Sequence, residues 1–255
     1  MKKRVSGLRV AAALAEGGDR LLNAVIALLL IVAMLYGGFG LWDTWNIYRN
    51  AGVSSDLLKY RPTATEGDAP NPTLSELQAI NPDVCAWLTV DDTNIDYPVL
   101  QGDDNLYYLN RAVDNSFSLS GSIFLDKYCA RDFSDFYSLI YGHHMAGEVM
   151  FGQLPNFVEA DYFQSHTTGT LFLPEHTYAI QWFACIETTA YDKYLFYPTG
   201  YTHEASRVEL LDYIRQSATQ YRDINVSASD HILALSTCAE AATDGRVLLI
   251  GRLAE

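Results

Sequence analysis

Basic residues are scarce. The 255-residue chain holds 17 Lys+Arg against 31 Asp+Glu, a formal net charge of −14. Five of the basic residues and three of the acidic ones fall in positions 1–45, which leaves the remainder at about −16 by the same count. A surface of that sign repels phosphate backbones and anionic lipid headgroups, so nucleic acid is excluded as a partner. Cysteine is also sparse: Cys85, Cys129, Cys185 and Cys238 form no C-x-x-C pair and have no histidine spacing suited to zinc. No metal ligand cluster is evident, and neither a metal nor a cofactor is expected. An even number of thiols outside a membrane permits two disulfides. If Cys238 acts as a nucleophile it stays free, and Cys185, inside an apolar run, then reads as a small buried hydrophobe. There is no internal repeat and no low-complexity tract.

One apolar run stands out against this acidic background. Leu21 to Leu41 is uncharged, with Asn23 its only strongly polar member. At ~1.5 Å per residue the run covers roughly 30 Å, the hydrocarbon thickness of a bilayer. A cleaved signal peptide usually has a shorter apolar centre ending in small residues, for which Gly37-Gly38-Phe39-Gly40 is a poor match. The run therefore predicts a retained membrane anchor. Lys2, Lys3, Arg4, Arg9 and Arg20 precede it, so a cytoplasmic N-terminus and an extracellular remainder are expected. The implied organisation is a cytoplasmic segment over 1–20, a transmembrane signal-anchor over 21–41, a juxtamembrane segment and linker over 42–72, and a catalytic domain over 73–255. The linker reading rests on residues 61–72, which carry three prolines, a glycine and no apolar periodicity.

Beyond the linker, Thr73-Leu-Ser-Glu76 has the form of a capping box, and Leu74, Leu77 and Ile80 give a short helix one apolar face. The chain after this helix is mostly strand-like. Residues 85–90 and 95–100 flank an Asp-Asp-Thr-Asn turn and read as a hairpin, with Pro98 calling for a sheet edge. Further strands are predicted at 122–125, 137–141, 169–173, 178–186, 231–235 and 247–253. The exception is 203–222, where Val208, Leu211, Ile214, Ala218 and Tyr221 recur at helical spacing. Many strands with few helices predict a mainly β fold, a closed or nearly closed barrel.

The chemistry concentrates in two places. Leu235-Ser236-Thr237-Cys238 ends an apolar strand, and Arg246 stands eight residues after the cysteine. A thiol attacks as thiolate, and at a free pKa of ~8.5 only a few per cent is ionised near neutrality. A cationic neighbour raises that fraction. Two strands joined by the polar loop Ala239 to Gly245 would set Arg246 beside Cys238, where its fork of donors can also hold an oxyanion. The second place is Tyr141-Gly142-His143. Gly142 would let the backbone turn so that the imidazole faces a cleft and exchanges protons with leaving and attacking amines. His144 would face the opposite side of a continuing strand, and His166, His176, His203 and His231 are read as structural.

Leu235-Ser-Thr-Cys238 with Arg246 resembles the active-site signature of sortases, the membrane-anchored cysteine transpeptidases of Gram-positive bacteria, and Tyr141-Gly-His-His-Met145 resembles the class B form of the histidine motif. The resemblance extends through Asn81–Leu88, Ile95–Gly102, Asn105–Asn110 and Gly121–Asp126, covering about residues 73–253. It implies an eight-stranded sortase barrel with an N-terminal helix and a late inserted amphipathic helix. It further implies Cys238 as nucleophile, His143 as general acid and base, and Arg246 as stabiliser of substrate and oxyanion. Asn105, Leu109, Tyr194, Leu195 and Ser236 match positions that line the sorting-signal groove of class B relatives. The implied reaction cleaves a C-terminal sorting signal through a thioacyl enzyme and joins the surface protein to a peptidoglycan cross-bridge amine. A pilin-polymerising enzyme with a lysine acceptor, a thiol protease and a non-enzymatic membrane-tethered binding domain are the alternatives. Some relatives carry glutamate directly after the cysteine; here Ala239 comes first, which leaves Glu240 and Asp244 as loop candidates for a carboxylate orienting His143.

Overall fold

The computed structural model describes residues 2–51, 55–63, 67, 70–238 and 244–254. The chain divides into two compact units, Met1–Asn46 and Ile47–Glu255. The first is built on helix α1 (Lys2–Ala51), whose 31-residue stretch Glu16–Asn46 is long and apolar enough to cross a membrane. Leu21, Leu29, Met34 and Phe39 are all exposed on it. A helix that is apolar all round and exposed on every side has the composition of a bilayer span.

The second unit opens with α2 (Ser55–Leu58) and α3 (Pro72–Ile80), and then becomes a sheet. In chain order come β1 (Val84–Val90), β2 (Asp96–Leu100), β3 (Ile123–Leu125), β4 (Tyr137–Tyr141), α4 (Ala160–Ser165), β5 (Thr168–Phe172), β6 (Thr177–Thr189), α5 (Glu204–Ser217), β7 (Gln220–Tyr221), β8 (His231–Cys238) and β9 (Gly245–Ala254). The strand order β5-β1-β2-β3-β4-β8-β9-β6 closes through a β5–β6 pairing into an eight-stranded barrel, with β7 a short addition to β6. Closure removes the exposed edges that an open sheet must protect. The long β6 serves both partners, pairing with β5 over Thr177–Gln181 and with β7 at Ala184 and Cys185. All pairs are antiparallel except β2–β3 and β4–β8.

The interior is filled by inward side chains such as Leu88, Ile140, Trp182, Leu235 and Leu249, all fully buried. A second cluster outside the barrel wall joins Leu74 and Leu77 of α3 to Trp87, Leu100, Tyr108 and Phe124. Strand β1 is therefore buried on both faces. A register shift between Val84 and Ala86 adds one residue there, and Cys85 and Ala86 both join the interior cluster while Trp87 faces α3.

Local expectations needed correction in three places. Pro98 is not on an edge strand, since β2 lies between β1 and β3. The β2–β3 ladder begins only at Val99, so the proline has no donor to supply on that side. The capping box at Thr73 does not form, because α3 starts two residues earlier, with Asn71 at the cap and Pro72 in its first turn. Asn71 at the cap position instead donates Nδ2 to the Leu173 carbonyl at 2.6 Å and to Thr177 Oγ1 at 3.1 Å, tying the helix entry to the barrel. The helix near 203–222 stops at Ser217, and its fully buried residues are Leu210 and Ile214, whereas Val208 is exposed. Tyr221 is in β7, opposite Ala184. The helix lies against the barrel through Leu210 and Ile214 with Leu211 partly buried beside them, so the predicted apolar face is met at Leu211 and Ile214 and missed at Val208.

Cys85, Cys129 and Cys185 are free and buried, which matches the expected character of Cys185 and leaves these three outside any disulfide. Burial pushes each of these thiols up to about 12. Thiolate is thus withheld at all three positions throughout the neutral range. A maleimide or aromatic disulfide reagent at pH 8 is expected to leave them unmodified until denaturant unfolds the barrel. Peptide mapping by mass spectrometry checks this, and modification of any of the three in the native protein would contradict the packing described.

Candidate active site

Three neighbouring strands converge at one end of the barrel. Parallel pairing of β4 with β8 sets Tyr141 opposite Ser236, and the Gly142 amide extends the ladder by donating to the Ser236 carbonyl at 3.1 Å. Antiparallel pairing of β8 with β9 sets Ser236 opposite Leu248 and Cys238 opposite Arg246. Positions directly opposite on an antiparallel pair share a face, and strand period two gives Ser236 and Cys238 the same face. The thiol-bearing position and the guanidinium-bearing position are therefore cross-strand neighbours, as the spacing predicted. The loop residue Glu240 lies outside the described residues. Asp244 is described: its carbonyl accepts the Ala190 amide at 2.8 Å, and its carboxylate accepts Tyr191 Oη at 3.5 Å.

His143 comes directly after Gly142. Its Nε2 donates to the Leu109 carbonyl at 2.8 Å. A carbonyl can only accept, so Nε2 carries a proton in this arrangement, which leaves Nδ1 as the ring nitrogen not engaged by that contact. The role of Gly142 differs from the one expected. Its φ is unexceptional, but a Cβ there would stand 2.5 Å from Ile123 Cδ1 and 2.6 Å from Phe151 Cδ2. Glycine is required because the chain passes against packed side chains, not because it turns.

A cavity of about 310 Å³ opens at this junction, lined by Asn105, Leu109, Gly142, His143, Ser236, Thr237 and Arg246 together with Phe124, Tyr141, Ala190 and Phe196. Asn105 and Leu109 come from the long connection between β2 and β3. That connection folds tightly at Gly121, where φ is +59° and a Cβ would stand 2.6 Å from the Tyr108 and Leu109 carbonyl oxygens. Its end is pinned where the Ser122 amide donates to the Tyr108 carbonyl at 3.0 Å. The aromatic lining is continuous: Phe124 and Tyr141 centroids are 5.3 Å apart with the rings tilted by 38°, and Tyr141 and Phe196 lie nearly parallel at 6.5 Å. The Tyr141 phenol is pushed well above its ordinary range by burial and by the charge of Asp126, so it remains a donor. Arg246 Nη1 donates to the Gly245 carbonyl at 2.9 Å.

Of the residues expected to line a substrate groove, Asn105, Leu109 and Ser236 line this cavity. Tyr194 and Leu195 do not. The Asp192 carboxylate accepts both the Tyr194 and Leu195 amides, at 2.9 and 3.1 Å, and so fixes a turn. That turn sends Leu195 into the core, where it is fully buried. Tyr194 stacks on Tyr213 of α5 with centroids 4.3 Å apart and donates Oη to Glu209 at 3.0 Å. The next residue, Phe196, reaches the cavity instead. Phe124, Tyr141, Ala190 and Thr237 also line it without having been singled out for that role, although Tyr141 and Thr237 stand inside the two sequence motifs. Among the remaining histidines, His166 stacks on Tyr162 at 3.8 Å, His231 Nδ1 pairs with the Asp135 carbonyl at 2.9 Å, and His203 caps α5.

No protein-family model matches the chain. A sortase B of Listeria monocytogenes is 34% identical over 182 residues, covering 71% of this chain and 73% of that protein. The structure of a Streptococcus pyogenes class B sortase involved in pilus biogenesis shares 46% identity over 71% of this chain and 97% of that one, with a TM-score of 0.66. The Staphylococcus aureus sortase B–substrate complex shares 27% identity over 74% of this chain and 87% of that one, with a TM-score of 0.69. The closed barrel, the strand junction that brings residues 143, 238 and 246 together, and identity at this level over most of a sortase B lead to one conclusion: the chain belongs to the class B sortases, which are cysteine transpeptidases.

Proposed function

We propose that Cys238 is the nucleophile, His143 the general acid and base, and Arg246 the oxyanion and substrate stabiliser of this sortase. The observation that carries the assignment is the cross-strand pairing of Cys238 with Arg246 at a cavity that His143 also lines. The Cys238 sulfur attacks the carbonyl carbon of the scissile bond in a C-terminal sorting signal, and the carbonyl oxygen becomes an oxyanion held by the Arg246 guanidinium. As the C–N bond breaks, the imidazolium of His143 gives its proton to the leaving amine. The thioacyl enzyme is then attacked by an acceptor amine, whose proton passes to His143 as the Cys238 thiolate departs. The Leu109 carbonyl, which accepts from Nε2, keeps the ring turned to its task through both proton transfers.

Asn105, Leu109 and Ser236 are the substrate contacts supported by the cavity lining, with Phe196 taking the part first assigned to Tyr194 and Leu195. The division into cytoplasmic segment, span, linker and catalytic domain is retained. Residues 21–41 anchor the enzyme, the basic N-terminus stays in the cytoplasm, and the acidic remainder faces outward, where surface-protein substrates emerge.

A peptidoglycan cross-bridge amine is the acceptor implied by the resemblance. A pilin lysine is the second reading. It is favoured by the 46% identity to the pilus-associated class B sortase, against 27% for the staphylococcal enzyme.

With a labelled sorting-signal peptide, Cys238→Ala is expected to abolish cleavage and the acyl-enzyme adduct seen by intact mass; cleavage retained in that variant would remove the nucleophile assignment. Arg246→Ala is expected to lower acylation by about 10²–10³, the loss seen when one oxyanion donor is removed. An unchanged rate would point to a protease-like hole of backbone amides. Deletion in the host, together with sizing of surface proteins, separates the acceptors: lost covalent ladders identify a pilin lysine, and release of single proteins to the medium identifies the wall amine.

A further inference from the structure

Directly behind the cavity lies a buried carboxylate with no part in the acyl-transfer chemistry. Asp126 comes just after β3 and is 3% exposed. Its Oδ2 accepts Asn105 Nδ2 at 2.8 Å and Tyr141 Oη at 3.0 Å, and its Oδ1 accepts the Tyr128 amide at 2.9 Å. The other end of the Asn105 amide is also fixed, because Asn105 Oδ1 accepts the Lys127 amide at 2.8 Å.

Asn105 therefore cannot flip. The reversed amide would set Oδ1 against the carboxylate and its NH₂ against the Lys127 N–H, replacing two attractions by two repulsions. A neutral partner at position 126 would not enforce this, since an amide or hydroxyl both donates and accepts. The charge makes the choice one-sided and strengthens the bond. One of the two Nδ2 hydrogens is engaged by Asp126, and the second remains for whatever occupies the cavity that Asn105 lines.

We propose that Asp126 is a positioning residue that locks Asn105 as an obligate hydrogen-bond donor, so that the groove reads a carbonyl oxygen of the bound sorting signal. The same carboxylate takes the Tyr141 phenolic hydrogen bond and holds that ring between Phe124 and Phe196. One buried charge thus orients both a polar and an aromatic contact of the groove. The inference rests on the reading that this cavity receives the sorting signal, and it names no chemical step.

The test uses the full-length chain in detergent with a sorting-signal peptide and an amine acceptor, comparing wild type, Asn105→Ala, Asp126→Asn and the double variant. Asp126→Asn is expected to raise KM about tenfold, the size of one charge-assisted hydrogen bond, while kcat stays within about threefold. The double variant is expected to lose clearly less than the product of the two single effects, because a donor already absent cannot be misoriented and only the Tyr141 contribution of Asp126 remains to be lost. Unchanged KM in Asp126→Asn, or multiplicative losses in the double variant, would overturn the proposal. Asp126→Ser supplies a smaller neutral side chain should the first replacement fail to give a cooperative melt. Failure of both to fold would also overturn it, in favour of a purely architectural carboxylate. A wild-type enzyme that forms no adduct on Cys238 refutes the parent reading, whereas normal acylation with an unmoved KM refutes this one alone.

Discussion

The constraint on which the site depends is the register of three adjacent strands. Strand β8 is paired in parallel with β4 and antiparallel with β9, and neither pairing can slip by one residue without turning every inward side chain of the slipped strand toward the wrong face. Leu233, Leu235, Leu249 and Ile140 are all fully buried in that wall. The barrel core therefore fixes the register, and the register fixes which positions meet at the strand ends. Cys238 comes opposite Arg246 because Ser236 is opposite Leu248 and Ala234 opposite Ile250. His143 arrives from β4 because Tyr141 is opposite Ser236. The proposed catalytic residues stand at strand ends whose positions are determined by hydrophobic packing within the barrel wall.

A second level of organisation is polar, around one buried and one half-buried carboxylate. Asp126 and Asp192 each gather several donors around one carboxylate, and each shapes what lines or leaves the groove. Asp126 gathers Asn105, Tyr141 and the Tyr128 amide. Asp192 gathers the Thr188 and Tyr213 hydroxyls and two backbone amides, and the turn it makes sends Leu195 inward. A carboxylate accepting several hydrogen bonds orders a loop more firmly than its length would suggest, since leaving it unsatisfied in a buried setting costs free energy. These two clusters allow irregular connections to carry defined side chains on a rigid barrel.

The three buried thiols illustrate how environment separates residues of one type. Desolvation holds Cys85, Cys129 and Cys185 as neutral, inert packing groups. Position 238 differs in its place in the sheet, opposite Arg246 on the neighbouring strand. On the proposed assignment of Cys238, reactivity is allotted by location rather than by residue type.

Much of this molecule is determined by the chain alone. The apolar run from Leu21 to Leu41, the alternation and β-branching of most strands, and the motifs around His143 and Cys238 are local properties, set by residue chemistry at short spacing. The pairing of Cys238 with Arg246 was accessible for the same reason, since a short loop between two strands forces their ends together. What only the tertiary structure decided depends on contacts between distant segments. The end of α5 at Ser217, the central position of Pro98, the packing demand on Gly142 and the burial of Leu195 are all set by neighbours far away in sequence. So is the burial of Asp126 behind Asn105. A carboxylate reads as surface in a linear chain, and only the closure of the barrel removes it from water and surrounds it with the donors that give it a task.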